Sequence, residues 1–319
     1  MSAVGGSQRP AGTSRTGDRG DSAWYRLAGG GTAGPVGVAA GDALRGATGA
    51  AVAPAIYSVL LRLAGVDRPV ITQPQLVAHR GDRARFPENT LPALAGAVAL
   101  GALYVEFDIQ LTADGVPVLL HDPTLERTGG CAGDVREMSS AIAQTMQVGE
   151  ARRFGERYAQ VTVPALTEVV ELLNRSPAVT AFVEIKRHSV ERFGVGSVLK
   201  AVAEALAAAR FPWVIISFVD AVVATAKADL GAPVGWVLRR YDAPSREEAR
   251  RLAPEYLFVS AEDIPPGTDK LWPGPWRWVV YDVNDAALAL AFAERGCGLV
   301  ETDELGALMH HPALQRAGR

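Results

Sequence analysis

The amino-acid sequence predicts an α/β protein, a (β/α)8 TIM barrel over residues 71–319, and three observations favour it. From residue 76 onward, short apolar runs alternate with amphipathic helical patterns, which is typical of a parallel sheet. The chain of 319 residues is long enough for a barrel of the usual size, about 250 residues. An open, doubly wound sheet would fit the same alternation, but the first strand is followed by His79-Arg80-Gly81 and not by a G-x-G-x-x-G loop.

Short apolar runs define the predicted barrel strands. Eight are predicted, at Leu76–His79, Tyr104–Asp108, Ala181–Lys186, Val214–Phe218, Val234–Leu238, Tyr256–Val259, Trp278–Asp282 and Leu299–Thr302. Alanine and leucine at helical spacing predict helices between most of them, including Leu91–Leu100, Val198–Arg210, Ser245–Leu252 and Ala286–Arg295.

A ninth apolar run, Val116–Leu120, is predicted to form a hairpin with the second strand. Only an Asp114-Gly115 turn separates the two runs, whereas a parallel crossover needs about a dozen residues or more. A turn centred on Asp114-Gly115 makes paired residue numbers sum to about 229, which places His121 opposite Asp108. The segment 123–178 then holds an insertion and a helix around Leu166–Leu173.

Residues 1–70 are predicted to form a flexible leader rich in glycine and alanine, since 13 of the 33 glycines lie within residues 1–50. An uncharged segment, 47–61, interrupts it, contains Pro54 and is shorter than the roughly 20 residues of a spanning helix. A packed helix or connector is therefore favoured over contact with a membrane or an anchor. No apolar stretch follows the first basic residues as in a secretory signal, so a cytoplasmic location is predicted.

Composition excludes several classes of protein. The formal net charge is −3, from 32 Lys and Arg against 35 Asp and Glu, which gives no electrostatic reason to bind nucleic acid. Two cysteines, Cys131 and Cys297, form neither a disulfide framework nor a C-x-x-C zinc motif. Oligomeric state is left open.

Acidic side chains end two of the predicted strands. Glu106 and Asp108 are two residues apart and share one strand face, and Glu184 with Lys186 repeats the spacing. Three inward carboxylates repel one another unless a cation neutralises them, and all-oxygen ligands favour Mg²⁺ or Ca²⁺. Taken alone, each pair could equally be a solvated strand edge or a surface ion pair.

Two histidines flank these acids in the predicted barrel mouth, namely His79 after the first strand and His121, followed by Asp122, after the hairpin. Imidazole titrates near neutral pH and serves as general acid or general base. Arg80 suits the paired oxygens of a phosphate. Together with Lys186 and a metal ion, these groups indicate phosphoester chemistry. His188, His310 and His311 lie outside the strand ends and are assigned no role.

These motifs resemble the glycerophosphodiester phosphodiesterase family in order and spacing over about residues 76–305. The resemblance rests on His79-Arg80-Gly81, Pro87-Glu88-Asn89-Thr90, Glu106-Phe107-Asp108, Asp114-Gly115 through His121-Asp122, Leu125 through Thr128, Val183-Glu184-Ile185-Lys186 and Ser217-Phe218.

The resemblance implies a PLC-like phosphodiesterase barrel that hydrolyses a glycerophosphodiester to an alcohol and glycerol 3-phosphate. It implies a divalent cation on Glu106, Asp108 and Glu184, and acid and base roles for His79 and His121. Arg80 and Lys186 would then bind the phosphate. The supporting residues would be Glu88, Asn89 and Asp122. Of the two histidines, we favour His121 as the base and His79 as the acid.

Two late blocks depart from the family pattern, Tyr281-Asp282-Val283-Asn284 and Thr302-Asp303-Glu304-Leu305. They put headgroup selectivity in doubt. Two further functions therefore stay open. One is a lysophospholipase D-type phosphodiesterase acting on lysophospholipids at a membrane, which the segment 47–61 would serve. The other is a phosphate-binding barrel without catalysis.

Overall fold

The computed structural model describes residues 73–315, and the predicted leader 1–70 with its apolar segment 47–61 lies outside them. Nine strands make one sheet: β1 Gln75–Ala78, β2 Tyr104–Leu111, β3 Pro117–Leu119, β4 Thr180–Ile185, β5 Trp213–Ser217, β6 Val234–Val237, β7 Tyr256–Ser260, β8 Arg277–Tyr281 and β9 Leu299–Thr302. Eight of them run parallel, and β1 pairs with both β9 and β2, which closes the barrel. The predicted barrel is confirmed, and each of the eight predicted strands overlaps an observed one.

The helices form the outer layer and the loops. They are α1 Leu91–Ala99, α2 Ser140–Ala143, α3 Ala151–Phe154, α4 Leu166–Leu173, α5 Arg187–Phe193, α6 Val195–Leu206, α7 Asp220–Asp229, α8 Ala243–Leu252, α9 Ala286–Glu294, α10 Leu305–Met309 and α11 Pro312–Gln315. The helix predicted at Val198–Arg210 begins three residues earlier and ends four residues earlier, as α6. Between β7 and β8 the chain makes a 3₁₀ turn, Ala261–Asp263, and no α-helix. No helix within residues 73–315 is long and apolar enough to cross a bilayer.

The β2–β3 hairpin is present, but the predicted register is wrong by one residue. Ile109 pairs with Leu119 and Gln110 with Val118, so paired numbers sum to 228 (109 + 119) and Leu120, not His121, follows opposite Asp108. The turn has three residues and not two, because Thr112 and Val116 close it and Gly115 takes a φ of +80°. A three-residue loop that ends in a left-handed glycine is a common hairpin geometry.

The barrel interior is divided into an apolar floor and a polar mouth. Phe182 of β4 lies at the centre of the floor, stacked on Tyr104 at 5.9 Å and edge-on to Tyr256 and Phe258 at 4.9 and 5.1 Å. Since side chains alternate along a strand, Glu184 lies on the same face, one step nearer the carboxyl end. The acids of the mouth therefore stand directly above apolar rings that exclude water.

The insertion after the hairpin has a small core of its own. Val118 and Leu120 pack there against buried residues of the insertion, among them Leu125, Val135 and Val148. The core holds the segment that carries His121 against the rest of the barrel.

Candidate active site

The loop after β1 turns sharply into the mouth. Arg80 and Gly81 both have left-handed backbones, with φ of +55° and +83°. A Cβ on Gly81 would lie 2.5 Å from the carbonyl carbon of Ala93 in α1, so glycine is required at this close approach. The turn directs the backbone N–H of Arg80 to Glu106 Oε2 at 3.0 Å, and the guanidinium Nε lies 3.1 Å from Asp108 Oδ2.

The three acids predicted as metal ligands come together in the mouth. Glu106, Asp108 and Glu184 each offer a carboxylate oxygen, and these oxygens all lie within 4.8 Å of one another. The parallel register sets Asp108 of β2 directly beside Glu184 of β4. All three are buried, with at most 9% of the residue exposed.

Charge is balanced unevenly across these acids. Lys186 Nζ contacts Glu184 Oε1 at 2.7 Å and Asp108 Oδ1 at 3.2 Å. Burial raises the pKa of Asp108, but Lys186 and then Arg80 outweigh it and hold that pKa below its ordinary value. Burial and then the neighbouring carboxylates, Asp108 first, raise the pKa of Glu106 well above its ordinary value. The pKa of Glu184 is also raised, mainly by burial.

A divalent cation fits this set of residues. The donors are all oxygens, and Glu106 Oε1 is buried with no hydrogen-bond partner among residues 73–315. Hard ions such as Mg²⁺ and Ca²⁺ prefer carboxylate oxygens. Glu106, Asp108 and Glu184 would hold the ion, and Lys186 Nζ supplies part of the positive charge that these acids require.

Asn89 fixes the orientation of Asp108. Its amide donates to Asp108 Oδ2 at 2.7 Å and accepts from the Asp108 backbone N–H at 3.0 Å. Asn89 reaches this position with a left-handed backbone, φ +55°, which asparagine tolerates better than most residues. The carboxylate therefore has one oxygen held by an amide and the other facing Lys186.

His121 lies beside these acids with a carboxylate at its back. Its Nδ1 is 2.7 Å from Asp122 Oδ1, and Arg127 donates to Asp122 Oδ2 at 2.6 Å. Burial, then Arg80 and Lys186, lower the pKa of His121 to about 4. With Nδ1–H donated to Asp122, the imidazole is neutral at pH 7 and Nε2 can accept a proton.

His79 has the opposite electrostatic environment. Its Nδ1 is 2.7 Å from Asp303 Oδ1, and its Nε2 is 3.5 Å from Glu301 Oε1. Burial and then Arg80 lower the pKa of His79, but Glu301 and Asp303 outweigh them and raise it above its ordinary value. The pKa of His121 is therefore lowered, which suits a proton acceptor, and the pKa of His79 is raised, which suits a proton donor.

Glu88 links the surroundings of the two histidines through arginines. It accepts from Arg80 at 2.7 Å and from Arg127 at 2.7 and 2.9 Å, and it pairs with Arg83 at 3.0 Å. Arg127 also contacts Asp122, and Arg83 also contacts Asp303. A continuous set of ion pairs thus runs from the carboxylate behind His121 to the one behind His79.

Glu301 and Asp303 also belong to the mouth, where both contact His79, and neither is among the site residues predicted from the sequence. Glu301 lies on β9 and Asp303 directly follows it, so Glu301-Thr302-Asp303 repeats at the end of another barrel strand the spacing of Glu106-Phe107-Asp108. That repeated spacing is the signal that could have found them. Asn284 accepts from Thr302 Oγ1 and the Asp303 backbone N–H at 2.9 and 2.8 Å, and so fixes the end of β9.

The fold is that of a TIM barrel enzyme, and the candidate site residues stand at the carboxyl ends of the strands, where such barrels carry their active sites. Residues 79–210 match the model of the "Glycerophosphoryl diester phosphodiesterase family". The resemblance found in the sequence is confirmed over these residues, which make up fewer than half of the chain.

Curated relatives match part of the chain. A "Glycerophosphodiester phosphodiesterase" of Caldanaerobacter subterraneus subsp. tengcongensis is 41% identical over 98 residues, covering 31% of this chain and 40% of the relative. "Glycerophosphodiester phosphodiesterase 1" of Homo sapiens is 36% identical over 114 residues, 35% of this chain and 34% of the relative. The matched segment thus spans well under half the length of these relatives.

Solved structures show the same fold. An Oleispira antarctica phosphodiesterase superposes with a TM-score of 0.64 at 24% identity, covering 74% of this chain and 95% of that chain. The glycerophosphodiester phosphodiesterase of Thermotoga maritima superposes with a TM-score of 0.56 at 22% identity, covering 76% and 97%.

Proposed function

We propose that the protein hydrolyses glycerophosphodiesters to an alcohol and glycerol 3-phosphate, with Mg²⁺ or Ca²⁺ held by Glu106, Asp108 and Glu184. The observation that carries the proposal is the pair of imidazoles in one barrel mouth, each with its Nδ1 held by a carboxylate at 2.7 Å. The same mouth holds the cluster of acids, Arg80 and Lys186. Hydrolysis of a phosphodiester needs a proton acceptor for the attacking oxygen and a proton donor for the oxygen of the departing alcohol.

In this mechanism the neutral His121 accepts the proton of the attacking oxygen through Nε2. That oxygen belongs to water or to the neighbouring glycerol hydroxyl. Its bond to phosphorus forms as the bond to the leaving alcohol breaks, and His79 donates the Nε2 proton to that alcohol. The hydroxyl route gives a cyclic glycerol phosphate, which water then opens to glycerol 3-phosphate in a second attack at phosphorus. A bound divalent cation supplies Lewis-acid stabilisation of the negative charge that develops on the phosphoryl oxygens.

The basic residues bind and orient the phosphate. Arg80 is held at the turn after β1 and offers a planar guanidinium. The buried Lys186, which follows β4, adds a positive charge beside Glu184. Asp122 and Asp303 each contact the Nδ1 of one histidine, so both imidazoles present Nε2 to the reacting atoms.

Two findings on relatives support the substrate class. The structure of the Oleispira antarctica phosphodiesterase is described as a complex with the product sn-glycerol-3-phosphate. The curated relatives carry the name glycerophosphodiester phosphodiesterase. The partner proposed for the present chain is accordingly a small-molecule phosphodiester.

The experiment compares glycerophosphocholine with lysophosphatidylcholine as substrates of the purified full chain. Each is measured after chelator treatment and after addition of Mg²⁺ or Ca²⁺, and release of glycerol 3-phosphate or of lysophosphatidic acid is followed. We expect turnover of glycerophosphocholine that the chelator abolishes and the cation restores. Turnover of the lysolipid alone would support the phospholipase D-type alternative, and no turnover of either would refute the enzyme.

A pair of histidine variants tests the assigned roles. His121→Ala should lower kcat by about 10²–10⁴-fold, because it removes the proton acceptor. His310→Ala is the matched control, since this imidazole is exposed and its Nδ1 contacts the carbonyl of Gly306, in the first turn of α10. Near-normal activity of His121→Ala would contradict the role of His121 as the base.

A further inference from the structure

A second set of metal-type ligands lies on the β1 and β9 side of the mouth. It consists of His79, Glu106 and Glu301, whose ligand atoms all lie within 4.8 Å of one another. These residues are 8%, 1% and 4% exposed, so all three are more than nine-tenths buried. Glu106 belongs to both sets, and the second set is therefore adjacent to the expected Mg²⁺ or Ca²⁺ site.

Carboxylate oxygens without a hydrogen-bond partner are concentrated in this second set. Glu106 Oε1 and Glu301 Oε2 are both buried without a hydrogen-bond partner among residues 73–315. In the first set, by contrast, Asp108 and Glu184 are in contact with Lys186. Burying a carboxylate oxygen without a partner is unfavourable. Lys186 reduces this desolvation cost for Asp108 and Glu184, and a cation bound to Glu106 and Glu301 would reduce it for these two acids.

His79 is oriented as a metal ligand would be. Its Nδ1 is held by Asp303 at 2.7 Å, which leaves Nε2 facing Glu301 Oε1 at 3.5 Å. A carboxylate bound to one imidazole nitrogen, with the other nitrogen directed at further ligands, is the usual carboxylate–histidine–metal arrangement. Asp303 is itself fixed by Arg83 and Asn284, so the ring is oriented in advance.

We propose that His79, Glu106 and Glu301 form a second cation site that takes a first-row transition ion, with Zn²⁺ as its representative. One imidazole nitrogen and two carboxylates suit such an ion, whereas the all-oxygen set of Glu106, Asp108 and Glu184 suits Mg²⁺ or Ca²⁺. Binding would place the ion on the His79 Nε2 lone pair and release any proton carried there to solvent. The occupied site therefore inhibits hydrolysis. This inhibition rests on the proposed function, whereas the binding of the ion is independent of that function.

Metal stoichiometry tests the site without any assay of activity. The full chain, saturated with Mg²⁺, is dialysed against Zn²⁺ and the bound zinc is measured for the wild type and for Glu301→Gln. We expect the variant to bind one zinc fewer, or to bind the second zinc about tenfold or more weakly. Glu304→Gln, which changes an exposed acid of the same segment, is the matched control and should behave as the wild type. Equal binding by the wild type and Glu301→Gln would overturn the proposal.

Two further variants separate this site from surface binding. His79→Gln, measured by binding alone, should also lose the second zinc. The double variant His310→Asn with His311→Asn removes two adjacent exposed imidazoles and should keep it. Loss of that zinc from the double variant and not from His79→Gln would mean an adventitious ion only, and would overturn the proposal.

Inhibition is measured separately, as hydrolysis of glycerophosphocholine at fixed Mg²⁺ with increasing Zn²⁺. The zinc concentration that halves the rate should be about tenfold or more higher for Glu301→Gln than for the wild type. Equal inhibition of the two proteins would refute the inhibitory role. If neither protein hydrolyses the substrate, the proposed function fails, and the binding experiment still decides whether the second site exists.

Discussion

Glu88 is the residue whose replacement should reveal most about the stability of the mouth. It is 2% exposed and accepts from or pairs with Arg80, Arg83 and Arg127 at 2.7–3.0 Å. Glu88→Gln keeps the shape of the side chain and removes its charge. Breaking a buried ion pair by removing one partner costs about 3–5 kcal/mol. We expect the lower part of that range, about 3 kcal/mol, because Arg127 is 39% exposed at its side chain and can recover hydration.

The effect should depend on pH in a defined direction. Burial raises the pKa of Glu88, but Arg80 and then Arg127 outweigh it and hold the pKa well below its ordinary value. A carboxyl group with a depressed folded-state pKa stabilises the protein above its unfolded-state pKa, about 4.3, and this contribution is lost as the pH falls toward the folded-state pKa. The difference between wild type and Glu88→Gln should therefore be full at pH 7 and shrink progressively below about pH 4.

The assay is urea unfolding of both proteins at pH 7 and at several pH values below 4.5, followed by tryptophan fluorescence. Glu126→Gln, a change of an exposed acid in the same region, is the control and should stay within about 0.5 kcal/mol of the wild type. A Glu88→Gln protein as stable as the control at pH 7 would refute the assignment of Glu88 as the anion that these arginines require. A difference that grows as the pH falls would refute the sign of the pKa shift.

Three further predictions concern the site and its floor. Asn89→Ala removes the amide that holds Asp108 and should weaken Mg²⁺ or Ca²⁺ binding by about 10–100-fold, measured by calorimetry; unchanged affinity would contradict it. Phe182→Ala opens a cavity in the floor and should lower the free energy of unfolding by about 3–5 kcal/mol in urea titrations, and a loss below about 1 kcal/mol would show that the floor collapses around it. Because the pKa of His121 is lowered to about 4, this base stays neutral above that value, so kcat/KM should fall as the pH drops through about 4. An acid limb centred near 6.5, the ordinary value for imidazole, would refute the lowered pKa of His121.

The sequence predicts the barrel well because its strands are short, apolar and bounded by polar residues. The same alternation fixes which side chains share a face, so Glu106, Asp108 and Glu184 could be expected to lie close together, as they do. The hairpin register depends on whether the turn has two or three residues, and Asp114-Gly115 is compatible with both. A preference for the shorter turn produced the shift of one residue.

Contacts between distant segments could not be predicted in this way. Arg83 and Arg127 are ordinary loop residues in the sequence, and only the folded chain shows that both reach Glu88. Glu301 lies in a short apolar strand that resembles the other barrel strands in sequence. It enters the mouth because β9 pairs with β1, which sets Glu301 in register with Val77. Closure of the barrel, and not local propensity, brings His79 and Glu301 together.

The ion pairs around Glu88 have a consequence for the geometry of proton transfer. Asp122 behind His121 and Asp303 behind His79 reach the same carboxylate, each through one arginine. The two carboxylates that hold the imidazoles therefore share one anchor, Glu88, in addition to the contacts on each side of the barrel. Displacement of Glu88 would move both imidazoles at once, so a change in either arginine is expected to affect the addition of the attacking group and the departure of the alcohol together.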